Sequence, residues 1–222
     1  MNPLDEARNT LAAALRNHPD TACLTCSFQA EDMAVLHMAL QFQPRLPVLF
    51  LETGYHFPET LAYRDEMQRR WNLRVVNLQA PLTRGQHEAQ FGVLYQSDPS
   101  QCCRLRKVEP LLAGLESYDV WITGLRREQS PTRRHLQLEE PHTLPSGRVI
   151  TKLNPLAAWT WRDVLSYCEA NDIPLLPLYE QGYTSIGCAP CTAKPADPSN
   201  PRSGRWGGAK LECGIHTFHR ES

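Results

Sequence analysis

The stretch Thr25-Cys-Ser-Phe-Gln-Ala-Glu-Asp32 decides the fold. It stands at the join between a short apolar run, 22–27, and a segment with helical spacing, 31–42. A brief apolar run that turns at once into a helix is the strand–loop–helix unit of a parallel sheet. Such a join offers hydroxyls and unpaired backbone N–H groups at a helix start, where an anion is held. The stretch is neither a Walker loop nor a G-x-G-x-x-G, which disfavours the commonest nucleotide folds.

Outward from this join the alternation continues. Strand-type runs occur at 46–51, 73–78, 118–123 and 148–153, and helical patterns at 58–71, 104–115 and 160–171. An amphipathic helix over 4–15, with Leu4, Ala7, Leu11 and Leu15 on one face, precedes them. The expectation is an α/β fold, doubly wound, with a mostly parallel sheet whose ligands sit at the carboxyl ends of its strands. After Ile173 prolines and glycines break every period, so the chain divides into a nucleotide-binding body, 1–173, and a segment 174–222 expected to end in a mobile C-terminal arm. One structural domain of 222 residues holds both.

The net charge is −1, which argues against a nucleic-acid or acidic-membrane partner and requires any anion site to be built locally. Asp5, Glu6 and Arg8 interrupt any apolar leader, and no run reaches membrane length, so a soluble cytoplasmic protein is expected. Eight cysteines in such a chain point to metal ligation or catalysis rather than to disulfides.

Cys102 and Cys103 are adjacent, and Cys188-Ala-Pro-Cys191 is a C-x-x-C. Two thiolate pairs make a four-sulfur site that suits zinc or an iron–sulfur cluster. Helix packing at 102–103 beside a separate redox pair at 188–191 accounts for the same spacing. Cys23 and Cys26 point to opposite faces of a strand and, with Cys168 on an apolar helix face, read as core. Cys213, in Lys210-Leu-Glu-Cys-Gly-Ile-His216, has the setting of a lowered-pKa nucleophile. Two arginine clusters, Arg126/Arg127/Arg133/Arg134 after a strand and Arg202/Arg205 just before Cys213, suit phosphate or sulfate.

Together these pieces resemble, in order and through nearly the whole chain, the assimilatory sulfonucleotide reductases, and among them the cluster-bearing adenylyl-sulfate (APS) reductases. Ser27-Phe-Gln-Ala-Glu-Asp32 looks like that family's pyrophosphate loop, and Leu51-Glu-Thr-Gly-Tyr-His-Phe-Pro-Glu-Thr60 like its second nucleotide motif. The segment 123–133 looks like its arginine-rich loop, and Glu212-Cys-Gly-Ile-His216 like its nucleophile motif. Glu52 and Ile215 depart from the usual aspartate and leucine.

The resemblance implies an adenine-nucleotide alpha-hydrolase-like (pyrophosphate-loop) fold. It also implies a [4Fe–4S] cluster on Cys102, Cys103, Cys188 and Cys191. Cys213, His216 and Lys107 would be catalytic, and Ser27, Phe28, Leu51, Thr53, Gly54, Gly124, Arg126, Arg133, Arg202 and Arg205 would bind substrate. The implied activity is reduction of adenosine 5′-phosphosulfate to sulfite and AMP, in sulfate assimilation and cysteine biosynthesis. It passes through a Cys213 S-sulfonate that thioredoxin or a similar dithiol protein resolves, and a homo-oligomer is expected. The alternative is a phosphoadenylyl-sulfate (PAPS) or dual-specificity reductase, although typical PAPS enzymes lack the cysteine pairs. Adenylating enzymes with a pyrophosphate loop need S-G-G-x-D-S, which residues 25–32 do not provide.

Overall fold

In a computed structural model of the chain, residues 2–197, 200–208, 210 and 212–216 are described. Six strands form one sheet in the order β3-β2-β1-β4-β6-β5. They are β1 (Ala22–Thr25), β2 (Pro47–Glu52), β3 (Arg74–Gln79), β4 (Val120–Ile122), β5 (Glu139–Thr143) and β6 (Val149–Leu153). All neighbours pair in parallel except β5 with β6, which run antiparallel.

The central strands are apolar on both faces because both are covered. Leu24 joins the larger core with helices α1 (Pro3–Asn17), α2 (Ala30–Leu40), α3 (Pro58–Arg70) and α8 (Trp161–Ala170). Cys23 and Trp121 face the smaller core, packed on Leu111 and Leu115 of α7 (Glu109–Leu115). Cys23 and Cys26 thus fall in different cores, and Cys168 lies in the larger one. Burial pushes the Cys168 thiol up to about 12, which suits an inert packing residue.

The pattern reading missed β5, whose sequence Glu-Glu-Pro-His-Thr carries only one buried residue, His142. Its pairing to β6 makes it a sheet edge, where a polar strand with a proline is tolerated. Also missed were α4 (Arg84–Phe91), the short α5 (Leu94–Ser97) and α6 (Pro99–Cys103). The helix expected from residue 104 instead begins at Pro99, where the Asp98 side chain accepts the N–H groups of Ser100 and Gln101 at 3.1 and 2.9 Å. It runs through a π-helical turn, Arg104–Val108, into α7. That wider turn directly follows Cys102 and Cys103 and carries the buried Arg106 and Lys107.

Beyond Ile173 the chain does not leave the body at once. Leu176, Leu178 and Ile186 are buried in the larger core, and the Tyr179 hydroxyl accepts the Ala30 N–H at 3.2 Å. The proline-rich texture here is an irregular but packed connection. The chain then makes one turn at Ala189–Cys191 and returns through a bridge between Thr192 and Arg205. The end of the expected arm, 217–222, lies outside the described residues. Among the described residues no helix is long and apolar enough to cross a membrane.

Candidate active site

The loops following β1, β2 and β4, all at the carboxyl edge of the sheet, enclose a cavity of about 560 Å³ together with the returning C-terminal segment. Ser27 and Gln29 reach it from the first loop, and Leu51, Thr53 and His56 from the second. Gly124, Arg126 and Arg133 come from the third, and Lys107 from the π-helical turn. Arg202, Arg205, Cys213 and His216 close it from the C-terminal side.

Two devices shape the first loop. Phe28 holds a left-handed backbone with φ near +61°, a conformation that costs a non-glycine residue free energy. Its ring offsets that cost by lying fully buried, edge-on to Phe50 and Tyr63 at 5.7 and 6.5 Å. Asp32 then braces the turn: its carboxylate accepts the Ser27 N–H at 2.6 Å and the Ser27 hydroxyl at 2.5 Å. Burial raises the Asp32 carboxyl to about 6 despite those bonds. On its other side lies Gly124, where any Cβ would stand only 2.9 Å from the Asp32 nitrogen and would strike its carboxylate. A glycine is required there because two loops meet backbone to side chain.

The arginines divide by what they touch. Arg126 is buried, and its guanidinium is occupied by Glu31 at 2.8 Å, by Glu128 at 2.7 Å and by the Trp159 carbonyl at 3.5 Å. Its side chain braces the loop after β4. Arg106, also buried, donates to the carbonyls of Thr53 at 2.5 Å and Leu82 at 3.0 Å, and so fixes the second loop.

Arg205 behaves differently. It is 5% exposed, stacks on Trp206 at 4.5 Å, and its Nε has no hydrogen-bond partner among the described residues. It packs against Gly187, where a Cβ would lie 2.6 Å from the guanidinium carbon. A buried cation that lines a cavity and keeps an unspent donor is suited to receive an anion.

Cys102, Cys103, Cys188 and Cys191 are buried in one apolar cluster with Tyr55, Leu94 and Trp206, and Cys213 packs against it. Burial, then the neighbouring sulfurs of Cys103, Cys188 and Cys191, push the Cys102 thiol up to about 12. The C-x-x-C turn is tied down by the Ala189 N–H donating to the Tyr55 carbonyl at 2.7 Å, and the Thr53 hydroxyl lies 3.3 Å from the Cys188 sulfur. Lys107 points into this group. Burial pulls its ammonium down, but the sulfurs of Cys188, Cys213 and Cys103 outweigh that, and the net shift is upward. Among the described residues, no three His, Cys, Asp or Glu side chains gather as a single metal ion would need.

Cys213 is half-buried and lines the cavity. The residue before it, Glu212, is held by Arg133, whose Nη2 and Nε donate at 2.8 and 3.0 Å. Three residues after Cys213, the His216 ring stacks on Trp121 at 5.5 Å with 17° between planes. Burial, with Arg133, Lys152 and Arg202 nearby, holds the His216 imidazole well below its ordinary value and therefore neutral.

Of the residues singled out in the sequence, Cys213, His216, Lys107, Ser27, Leu51, Thr53, Gly124, Arg126, Arg133, Arg202 and Arg205 gather at this cavity. Phe28 and Gly54 do not line it: the Phe28 ring is core, and the Gly54 N–H is bonded to the Glu52 carboxylate at 2.9 Å. The pattern reading missed Phe50, Trp161, Tyr179, Thr184, Ser185 and Trp206 in the lining. Phe50 and Tyr179 read as ordinary core residues, and nothing in the spacing of 184–187 marks it as a wall of the cavity.

A mostly parallel sheet with a cavity at its carboxyl edge and a cluster of buried thiols beside it is an α/β arrangement suited to a nucleotide and to thiol chemistry. The chain belongs to the phosphoadenosine phosphosulfate reductase family, whose domain matches residues 21–194. It is 43% identical over 219 residues to the adenosine 5′-phosphosulfate reductase of Geobacillus kaustophilus, covering 97% of this chain and 92% of the relative. It is 44% identical over 198 residues to the enzyme of the same name from Mycobacterium tuberculosis, covering 86% and 77%. The fold is shared with the phosphoadenylyl-sulfate reductase of Candida auris, at 24% identity and a TM-score of 0.70 over 83% of this chain and 88% of that one. It is shared also with a yeast FAD synthetase, at 15% identity and a TM-score of 0.64 over 87% and 66%.

Proposed function

We propose that this chain reduces adenosine 5′-phosphosulfate to sulfite and AMP for sulfate assimilation, in a reducing cytoplasm, with thioredoxin or a similar dithiol protein as reductant. The observation that carries the reading is the convergence of Cys213, Lys107 and Arg205 at one cavity on the carboxyl edge of the sheet.

The Cys213 thiolate attacks the sulfate sulfur of the substrate. The S–O bond to the phosphate breaks, and its electron pair leaves with AMP. The phosphate is a good leaving group, so the protein's part is to align the reactants and to offset the repulsion between a thiolate and a dianion. Lys107 and Arg205, both buried, supply that charge. Cys213 is left as an S-sulfonate. One thiolate of the dithiol then attacks the Cys213 sulfur, and sulfite departs with the electron pair of the S–S bond; the second thiol attacks the resulting mixed disulfide, freeing the Cys213 thiolate and leaving the dithiol as a disulfide, which gives up the two electrons the reduction needs.

Cys102, Cys103, Cys188 and Cys191 are the residues that would hold a [4Fe–4S] cluster. A cube takes one thiolate per iron, and four buried thiols in one apolar cluster suit it. A lone tetrahedral zinc would need all four sulfurs about 2.3 Å from one point. When bound, the cluster supplies negative charge that Lys107 faces and cross-links residues 188–191 to the helix.

The direct test is to incubate the protein with adenosine 5′-phosphosulfate and no reductant, then locate any adduct by intact-mass and peptide analysis. A sulfonate on Cys213, and its absence together with loss of sulfite release in Cys213→Ser, are expected. An adduct on another cysteine, or substantial turnover by the variant, would overturn the mechanism.

A further inference from the structure

Glu212 directly precedes Cys213, which lines the cavity, while its own side chain is spent on the loop after β4. Its carboxylate is 10% exposed and receives donors on both oxygens. Oε1 accepts the Ser130 hydroxyl at 3.0 Å, the Thr132 hydroxyl at 2.9 Å and Arg133 Nε at 3.0 Å. Oε2 accepts Arg133 Nη2 at 2.8 Å, with Arg202 Nη2 3.7 Å away. This is a forked, charge-assisted pairing between residues about eighty positions apart in sequence, and it joins the loop after β4 to the residue adjoining Cys213. The remaining Arg133 nitrogen, Nη1, donates to Gln129, so the guanidinium is committed on all sides.

We infer that Glu212 is a positioning residue, a latch whose receptor is Ser130, Thr132 and Arg133, and that this latch holds Cys213 over the cavity. The arginine-rich loop then reads the protein's own C-terminal segment, while Arg205 and Lys107 are left to face the substrate's anion. His216, stacked on Trp121, supplies a second hold three residues beyond Cys213, so the nucleophile is pinned from both sides. Burial works against an ionised Glu212, but Arg133 and Arg202 together with the donated bonds prevail and keep its carboxyl below the usual range. The inference rests on the proposed chemistry in one respect: a thiol that is attacked second by a dithiol protein must be exposed after the first step. A latch made of one carboxylate and a polar receptor can open, whereas an apolar dock of the same area would not.

The test uses Glu212→Gln, Arg133→Ala and the double variant, with Glu212→Asp as the conservative replacement. The first readout needs no substrate: the rate at which iodoacetamide alkylates Cys213, followed by peptide mass spectrometry, with core Cys168 as the internal control. Each single variant should raise the Cys213 rate about tenfold, the double variant no further, and Glu212→Asp less than threefold. Cys168 should stay protected throughout. The second readout is kinetic: kcat for sulfite release should fall at least tenfold while the affinity for AMP stays within about twofold.

Unchanged Cys213 alkylation, additive effects, or loss of Cys168 protection in both single variants would overturn the latch. AMP binding weakened as much as turnover would do so too, since the receptor would then be the nucleotide's own site. Alkylation as expected with no sulfite from any variant or the wild type would keep the latch and remove the assigned activity. Normal sulfite release with alkylation unmoved would do the reverse.

Discussion

Adding a single methyl at Gly187 should disable the anion contact proposed for Arg205 without removing any charge. A Cβ there would stand 2.6 Å from the Arg205 guanidinium carbon and closer still to its two terminal nitrogens. The guanidinium is the far end of a long side chain, so it yields and the fold survives. Retreat costs it the stacking on Trp206 at 4.5 Å, a contact of about 0.5–2 kcal/mol, and moves its donors away from the cavity. If Arg205 binds the sulfonucleotide by a charge-assisted hydrogen bond, the loss is about 1.5–3 kcal/mol. That corresponds to a fall of roughly 10- to 150-fold in kcat/KM.

The assay is sulfite release with thioredoxin in excess, run on Gly187→Ala, Arg205→Ala and the double variant. Removing the guanidinium removes the three atoms nearest the new methyl, so the double variant should be no worse than Arg205→Ala alone. Wild-type kinetics in Gly187→Ala alongside an impaired Arg205→Ala would show that Arg205 acts without needing this position. Wild-type kinetics in both would refute the receptor altogether.

Protein purified without oxygen should be brown, with iron and acid-labile sulfide near four each per chain, and serine at Cys102, Cys103, Cys188 or Cys191 should bleach it. Serine at Cys23, Cys26 or Cys168 should leave the colour, and stoichiometric zinc without visible absorbance would contradict the cluster. Adenosine 5′-phosphosulfate should be preferred over its 3′-phosphorylated form at least tenfold in kcat/KM, about 1.4 kcal/mol, because the extra phosphate needs dedicated cations and Arg126 and Arg133 are already engaged within the protein. Competition between the two nucleotides at equal concentration measures that ratio. Asp32 should set a pH dependence of stability. Its carboxyl is raised from 3.8 to about 6 by burial, so its contribution is fully present below 3.8 and is lost as pH rises through 6. Relative to Asp32→Asn, the wild type should lose up to about 3 kcal/mol across that window, and parallel pH profiles of the two melting temperatures would refute it.

The central strands within 22–27, 46–51 and 118–123 were legible because a strand covered on both faces is apolar nearly throughout, and the runs at 73–78 and 148–153 because Leu73, Val75, Val76 and Leu78 in the one and Val149, Ile150 and Leu153 in the other keep enough apolar character to be seen. The cysteine pairs, the arginine clusters and the Glu-Cys-Gly-Ile-His motif were legible for a similar reason: such residues are chemically distinctive wherever they fall. The edge strand β5 was not, since a polar strand is held by one neighbour's hydrogen bonds and leaves no apolar period. Nor was the packing of 174–186, where prolines suggested an arm but Leu176, Leu178 and Ile186 are core.

What only the tertiary structure decided is the use to which each charge is put. Arg126, Arg133 and Arg205 are alike in sequence, yet one is neutralised by Glu31, one grips Glu212, and one keeps a donor that no described residue takes up. A guanidinium's role depends on which carboxylate lies within about 3 Å of it, and those partners lie about eighty or more residues away along the chain.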